Sequence, residues 1–511
     1  MKSIVNIINF VRQCEPREED DSYLFTTTEE ELKLCRLYNF PSTVLLQYDA
    51  LIDTKYVDLL SRYSDNTEIG LWFEVVEPLC KAAGIPWRGR FPWDWHSDVG
   101  FLVGYTPEER KLLIDEAFRK FREIFGYYPS SCGSWHIDAY SLSYMNDKYN
   151  ITASCNCKEQ YGTDGYTIWG GIYSGAYYPS KYNMLCPAST KDNQVNVPVF
   201  RMLGADPIYQ YDMNIGDSNM CQHVTSLEPV YGNSGCDEKW VKWYLEENFN
   251  NKGISLSYTQ AGQENSMGWE SISRGLPMQF RILKEMLDSG RIEIKTLKES
   301  GEFFRESFDI TPPQAQMFDS DLNNNRYKTV WYNCKSYRLN VLYEQGKIWI
   351  RDLYLFDELF REKFIDEKEE SHNCSYFTLP VIDGYRFSDK NTRAGLYFCH
   401  KDKKINFTAP WRTFQKDKAA NIYLGEELKI TAAEDSIFIR STFKDWTLKA
   451  INADTADLPY VSAEGKALKM KFTADGKNYY NYELKLSKGF FRSTENGFMI
   501  FPENNEIIIK L

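Results

Sequence analysis

The strongest constraint on the fold is an alternation, over roughly the first 300 residues, of short apolar runs with stretches of helical period. That alternation is the signature of βα units and a mainly parallel sheet. Seven runs read as strands: Ser3–Phe10, Ser42–Tyr48, Glu68–Phe73, Ser130–Ser134, Ile151–Cys155, Val197–Leu203 and Ile254–Thr259. Helices are expected between them at about Thr28–Tyr38, Lys55–Tyr63 and Thr106–Phe125, with another near Trp269–Asp288. The third of these has the clearest start. Thr106 is placed as N-cap, Pro107 at the first helical position and Glu109 at the capping-box position, and Gly126 ends the pattern. The apolar set Leu112, Ile114, Ala117, Phe118, Phe121 and Ile124 gives this helix a face for a sheet.

From about Tyr327 the texture changes to short β-rich runs: Thr329–Tyr332, Leu339–Leu342, Lys347–Leu353, Leu428–Thr431, Ile437–Arg440 and Leu468–Phe472. Polar turns such as Glu344-Gln345-Gly346 and Ala474-Asp475-Gly476-Lys477 separate them, which predicts an antiparallel sandwich. Thr311–Asn325, with two prolines and a run of asparagines, reads as the junction. The expected architecture is therefore α/β, a (β/α)7-type barrel over 1–315 followed by a C-terminal antiparallel β-sandwich over 316–511. A chain of 511 residues exceeds one ordinary core, which agrees with two units.

Composition removes some functions. The net charge of -12 repels phosphate backbones and anionic lipid, so neither nucleic acid nor membrane is an expected partner. No window approaches the ~18 apolar residues of a membrane span. The N-terminal stretch, broken by Asn6, Asn9 and Arg12, does not read as a signal peptide. The 12 cysteines are scattered and sit mostly in apolar runs, which fits reduced thiols and a cytoplasmic location. Cys155-Asn156-Cys157 reads as a strand thiol pair rather than a zinc site.

In parallel α/β barrels the reacting groups cluster where strands end and loops begin. The polar residues at those places are Asn9, Arg12 and Glu15 after the first strand and Gln47, Tyr48 and Asp49 after the second. Glu74 and Glu77 follow the third, and Trp135, His136 and Asp138 the fourth. Lys158, Asp164 and Tyr166 follow the fifth, Asp206, Tyr209 and Gln210 the sixth, and Gln260, Gln263, Glu264 and Asn265 the seventh. A long insertion, Glu74–Gly104, adds Trp87, Trp93, Asp94, Trp95 and His96. Aromatics make up 15% of the chain, and flat rings with polar tips suit the apolar faces and hydroxyls of sugars, although they also fill cores. Two carboxylates stand out: Asp138, flanked by an aromatic ring and an imidazole, and Glu264, set among amides. Cleaving a glycosidic bond takes two carboxyl groups roughly 5–10 Å apart. Asp138 and Glu264 are the expected catalytic pair, with Glu74 as substitute. Glu15, Trp72, Trp95, His96, Trp135, His136, Asp164, Asp206, Gln210, Gln263 and Trp269 are expected to bind a carbohydrate substrate.

The seven-unit pattern, the helix ending in Ile124-Phe125-Gly126-Tyr127-Tyr128-Pro129 and the strand Ser131-Cys132-Gly133-Ser134-Trp135-His136-Ile137-Asp138 resemble the glycoside hydrolase/deacetylase superfamily. That group includes NodB-type polysaccharide deacetylases, α-mannosidases and amylase-like enzymes with a (β/α)7 barrel. The resemblance implies a carbohydrate hydrolase, and by position it implies a nucleophile at Asp138 and an acid at Glu264, with the residue types exchanged. Deacetylases of the NodB type hold a metal through Asp-Asp near the first strand and His-x-x-x-His after the third. Here the first strand runs into Ile-Asn-Phe-Val-Arg, and none of the five His pairs at ligand spacing. A metal on His96, Glu74 and Glu15 is the remaining option of that kind. The expected activity is thus a cofactor-free, metal-independent glycoside hydrolase. The alternatives are a metal-dependent carbohydrate deacetylase and a non-catalytic glycan-binding protein. A homo-oligomer is compatible with the sequence.

Overall fold

The computed structural model describes residues 2–217, 221–324, 326–474 and 478–511. All seven expected parallel strands form: β1 Lys2–Val11, β2 Ser42–Leu46, β3 Thr67–Trp72, β4 Ser131–Gly133, β5 Ala153–Asn156, β6 Val199–Arg201 and β7 Leu256–Ala261. They lie side by side in the order β7-β1-β2-β3-β4-β5-β6, every pair parallel. Helices cover the sheet, so the strands are buried on both faces and read as near-continuous apolar runs. Only the first two residues of β1 escape full burial.

No backbone pairing joins β6 to β7 among the described residues. Ala176–Tyr177 runs antiparallel along the outer edge of β6, and Glu293–Lys295 pairs with β1. The gap between β6 and β7 is bridged by a side chain, because Gln260 Oε1 accepts the Leu203 N–H at 2.9 Å. Gly262 brings the end of β7 hard against β1. Its φ is +99°, and a Cβ there would sit 2.2 Å from the Ile8 carbonyl oxygen, so only glycine fits.

The helix Pro107–Phe125 forms with its capping box in place. Thr106 Oγ1 accepts the Glu109 N–H at 3.3 Å, Glu109 Oε2 accepts the Thr106 N–H at 2.8 Å, and Gly126 ends the helix at φ +81°. Its buried face differs by one position from the expected one: Leu113 is buried while Leu112 is 51% exposed, and Arg110 is fully buried. The first helix begins at Tyr23, five residues before the expected Thr28. Thr27 and Thr28 do not cap it; their hydroxyls donate back to the Tyr23 and Leu24 carbonyls inside the helix. The stretch near Trp269–Asp288 splits into Trp269–Ile272 and Gly275–Asp288.

The second half is antiparallel β as expected. Its strands include Tyr327–Asn333, Tyr337–Glu344, Lys347–Leu355, Leu428–Ala433, Ser436–Ser441 and Ala467–Phe472. They are hydrogen-bonded along one path of 18 strands with cross-pairings, rather than as two separate sheets. Val330, Ile350, Leu396, Ile430, Leu448 and Ile507 meet in its core. The expected junction Thr311–Asn325 already contains the first of these strands, Gln314–Phe318. Asn325 and the turn residues Asp475, Gly476 and Lys477 lie outside the described residues.

The two halves interlock. Cys374–Phe377, from the second half, pairs in parallel with Tyr166–Trp169 of the first, Cys374 opposite Tyr166. A buried ion network adds to the seam: Glu159 accepts from Arg201 at 3.0 Å and from Arg338 at 2.5 Å. Among the described residues no helix is long and apolar enough to cross a membrane.

Candidate active site

At the C-terminal ends of the parallel strands lies a cavity of about 900 Å3. Its centre is Arg12, one residue past β1. The β1–β7 pairing extends beyond the regular strands, since Phe10 bridges to Glu264 and its N–H donates to the Gln263 carbonyl. Asn265 then clamps Arg12 from both sides. Its Oδ1 accepts the Arg12 N–H at 3.1 Å, and its Nδ2 donates to the Arg12 carbonyl at 2.8 Å. This local geometry places the Arg12 side chain beside Glu264.

The Arg12 guanidinium is 4% exposed and touches three carboxylates. Nη2 donates to Glu264 Oε2 at 2.7 Å and to the two Glu74 oxygens at 3.2 and 3.3 Å, while Nη1 reaches Glu15 Oε2 at 3.3 Å. The Trp93 ring covers the guanidinium at 4.1 Å, a desolvated cation–π contact. Burial alone would favour the neutral form of Arg12, but Glu74, Glu264 and Glu15 together hold its proton more tightly than usual. Glu74 also accepts from Gln47 Nε2 at 2.7 Å and from Trp135 Nε1 at 3.0 Å. Burial pushes its carboxyl above the ordinary glutamate value and Glu264 reinforces this, with Arg12 opposing. For Glu15 burial acts in the same sense, yet Arg17 and Arg12 outweigh it and hold the carboxyl below the ordinary value.

Of the three expected catalytic residues, the structure brings Glu264 and Glu74 together and leaves Asp138 out. Asp138 is the N-cap of helix Ala139–Tyr149: it accepts from Ser141 N at 2.9 Å and Ser141 Oγ at 2.7 Å. It also pairs with Arg110 at 3.0 Å, is fully buried and does not line the cavity. The expected Asp138–Glu264 pair therefore does not converge, because helix capping and Arg110 occupy the Asp138 carboxylate.

Among the expected binding residues, Glu15, Trp95, His96, Trp135 and Asp164 line the cavity. Trp72 lies beneath it, its ring 4.3 Å from Phe10 and 5.1 Å from Trp135. His136 is buried against Phe101, with Nδ1 3.2 Å from the Tyr376 hydroxyl, and burial lowers its pKa to about 3. Asp206 is occupied by the Ile208 and Tyr209 N–H groups and by Trp240 Nε1. Gln210 bonds the Glu159 carbonyl and the Thr225 N–H. Gln263 Oε1 accepts the Glu264 N–H, and Trp269 packs partly buried beside the first helix, its N–H on Thr27 Oγ1. These six hold the framework around the site and do not line the cavity.

Several cavity residues were not singled out from the sequence. Arg12, named among the strand-end polar residues but not among the expected site residues, is the foremost. Glu228, hydrogen-bonded by Ser226 Oγ at 2.6 Å, is raised above the ordinary value by burial, with Lys158 opposing. Tyr231 and His372 also face the cavity. The segment carrying Glu228 lacks a strand pattern, and His372 comes from the second half of the chain, so strand-end reasoning could not find either.

The metal that the family resemblance implies for deacetylases does not fit the centre of this site. Where two aspartates would follow the first strand stands Arg12, a cation already paired with Glu15, Glu74 and Glu264. The expected group His96, Glu74 and Glu15 does not form, and the only group among the described residues whose geometry could hold a metal is His96, Asp98 and His372. Cys155 and Cys157 are both free and belong to no such group.

No family model matches the sequence, and no curated protein matches it. Solved structures do match. One is a Parabacteroides distasonis protein provisionally assigned as a glycoside hydrolase/deacetylase, with TM-score 0.54 and 16% identity over 74% of this chain and 90% of that one. Others are a Mycobacterium smegmatis structure provisionally assigned as a polysaccharide deacetylase, with TM-score 0.35 and 10% identity over 60% of this chain and 91% of that one, and a Thermotoga maritima α-amylase, with TM-score 0.32 and 10% identity over 60% and 75%. The chain thus shares the fold of a protein placed in the glycoside hydrolase/deacetylase group, the superfamily its own strand and helix motifs resemble.

Proposed function

We propose that this chain is a carbohydrate hydrolase that cleaves glycosidic bonds with Glu74 and Glu264. One observation carries the reading. Glu264 Oε2 lies 2.7 Å, and Glu74 Oε2 3.2 Å, from the same Arg12 nitrogen, so the two oxygens are within about 6 Å of each other. Carboxyls about 5–5.5 Å apart suit attack on the sugar itself, whereas activation of an intervening water needs about 6.5–9.5 Å. The pair therefore favours a retaining displacement.

The environments divide the roles. Glu74, whose carboxyl burial raises above the ordinary glutamate value, is the better suited of the two to pass a proton to the leaving oxygen. Glu264, paired with Arg12 at 2.7 Å, is the carboxylate that attacks the anomeric carbon. Water then enters, gives its proton to Glu74 and releases the sugar from Glu264. Trp93, Trp95 and Trp135 supply aromatic walls for the sugar faces. Twelve free cysteines support a reducing, cytoplasmic compartment, and hence a short imported saccharide as substrate.

The test is hydrolysis of a panel of nitrophenyl glycosides and short oligosaccharides. Glu264→Gln and Glu74→Gln are each expected to lower kcat about 100-fold or more, and a 2-deoxy-2-fluoro glycoside should label Glu264. Undiminished turnover in both variants would overturn the assignment.

A further inference from the structure

His96, Asp98 and His372 come together from distant parts of the chain, and their ligand atoms all lie within 4.8 Å of one another. His96 and Asp98 sit at the start of the short helix Ser97–Gly100, in the insertion that follows β3. His372 precedes the strand Cys374–Phe377 of the second half. The two segments are pinned by backbone, since the Ser97 N–H donates to the His372 carbonyl at 3.0 Å. The imidazoles stack with centroids 3.9 Å apart, and His372 Nδ1 lies 3.1 Å from Asp98 Oδ1.

The surroundings suit a metal ligand. His96 Nδ1 faces Asp94 Oδ1 at 3.5 Å. An imidazole that gives its Nδ1–H to a carboxylate presents Nε2 as a lone pair, the arrangement that orients metal-bound histidines. That nitrogen accepts from Arg90 Nη2 at 3.3 Å, a bond that a metal would replace while Arg90 keeps its two bonds to Asp94.

We propose that His96, Asp98 and His372 form a divalent-cation site of the Zn2+ class at the rim of the cavity, clasping the β3 insertion to the second half of the chain. Metal–ligand bonds of about 2.0–2.2 Å require the ligand atoms to close up slightly. His372 makes that adjustment, because its side chain is 66% exposed and turns without disturbing the core. Two nitrogens and one carboxylate oxygen leave a fourth tetrahedral position for water or a sugar oxygen. The site is separate from Arg12 and does not depend on the roles given to Glu74 and Glu264.

The test uses the full-length chain, stripped with chelator and titrated with ZnCl2 by calorimetry, with bound metal counted after dialysis. Wild type should bind one Zn2+ per chain, gain thermal stability, and give with Co2+ the absorption of a tetrahedral nitrogen–oxygen site. His372→Ala and Asp98→Asn should each weaken binding at least about tenfold, with unchanged circular dichroism, while His400→Ala, remote in the antiparallel sheet, should leave it unaltered. Absence of stoichiometric binding, equal affinity in His372→Ala and wild type, or an octahedral Co2+ spectrum would overturn the proposal. None of these readouts depends on turnover.

Discussion

Arg110 and Asp138 form an ion pair at 3.0 Å with both side chains fully shielded from solvent. Arg110 further donates to the carbonyls of Leu102, Tyr105, Phe364 and Glu367, so this one guanidinium ties the insertion and a loop of the second half to the helix Pro107–Phe125. Removing the carboxylate leaves a buried, unpaired charge and an uncapped helix. Asp138→Ala is therefore expected to cost about 3–5 kcal/mol of stability, measured by urea unfolding. A variant as stable as wild type but without turnover would restore Asp138 as a catalytic group.

Arg12 poses the reverse case, a cation surrounded by carboxylates. Arg12→Met leaves Glu15, Glu74 and Glu264 without their shared partner, and the expected loss is again about 3–5 kcal/mol. Because the penalty comes from stranded negative charge, Arg12→Met combined with Glu74→Gln should recover part of it. Strict additivity of the two changes, in a double-mutant cycle of unfolding free energies, would show that Glu74 and Arg12 are not coupled.

The contrast between these two arginines marks what was legible. The seven strands were readable because parallel strands buried on both faces must be apolar throughout, and the helix Pro107–Phe125 because its cap chemistry is local. The role of Asp138 was also locally encoded: an aspartate three residues before Ser141, at the head of a helix, is an N-cap pattern. Arg12 could not be read in the same way. Its meaning lies in Glu74 and Glu264, 62 and 252 positions away, and nothing local separates a buried guanidinium from a solvated one. His372 was beyond reach for a related reason, since it arrives with a strand that leaves the second half to pair with Tyr166–Trp169.

Buried carboxyls also set the pH response. Burial pushes Asp49 up to about 7 and Glu362 to about 8, although Glu362 accepts the Ala139 and Met184 N–H groups at 2.8 Å. A carboxyl raised on folding contributes stability that is complete below its unfolded pKa, near 4, and is lost as pH rises through the folded value. His136, held down to about 3, acts oppositely, but only until its unfolded value near 6.5 is passed. Between pH 6.5 and 8.5 the opposition from His136 fades, and the unfolding free energy should fall by about 2–3 kcal/mol. A flat or rising profile across that window, measured in urea, would mean that these two groups are already ionised in the folded chain.

The cysteines give a check on the compartment. Nine of the twelve are buried, and only Cys14, Cys221 and Cys236 are partly exposed. Burial, with Asp49 adding to it, pushes the Cys14 thiol up to about 11, which leaves little of the reactive thiolate at pH 8. A thiol reagent should therefore label Cys221 and Cys236 first and Cys14 more slowly, and reach the other nine only on unfolding. Twelve equivalents are expected in denaturant without prior reduction, because no two sulfurs are joined in the fold. A shortfall would reveal oxidised pairs and shift the chain toward an oxidising compartment, where the substrate need not be imported before it is cut.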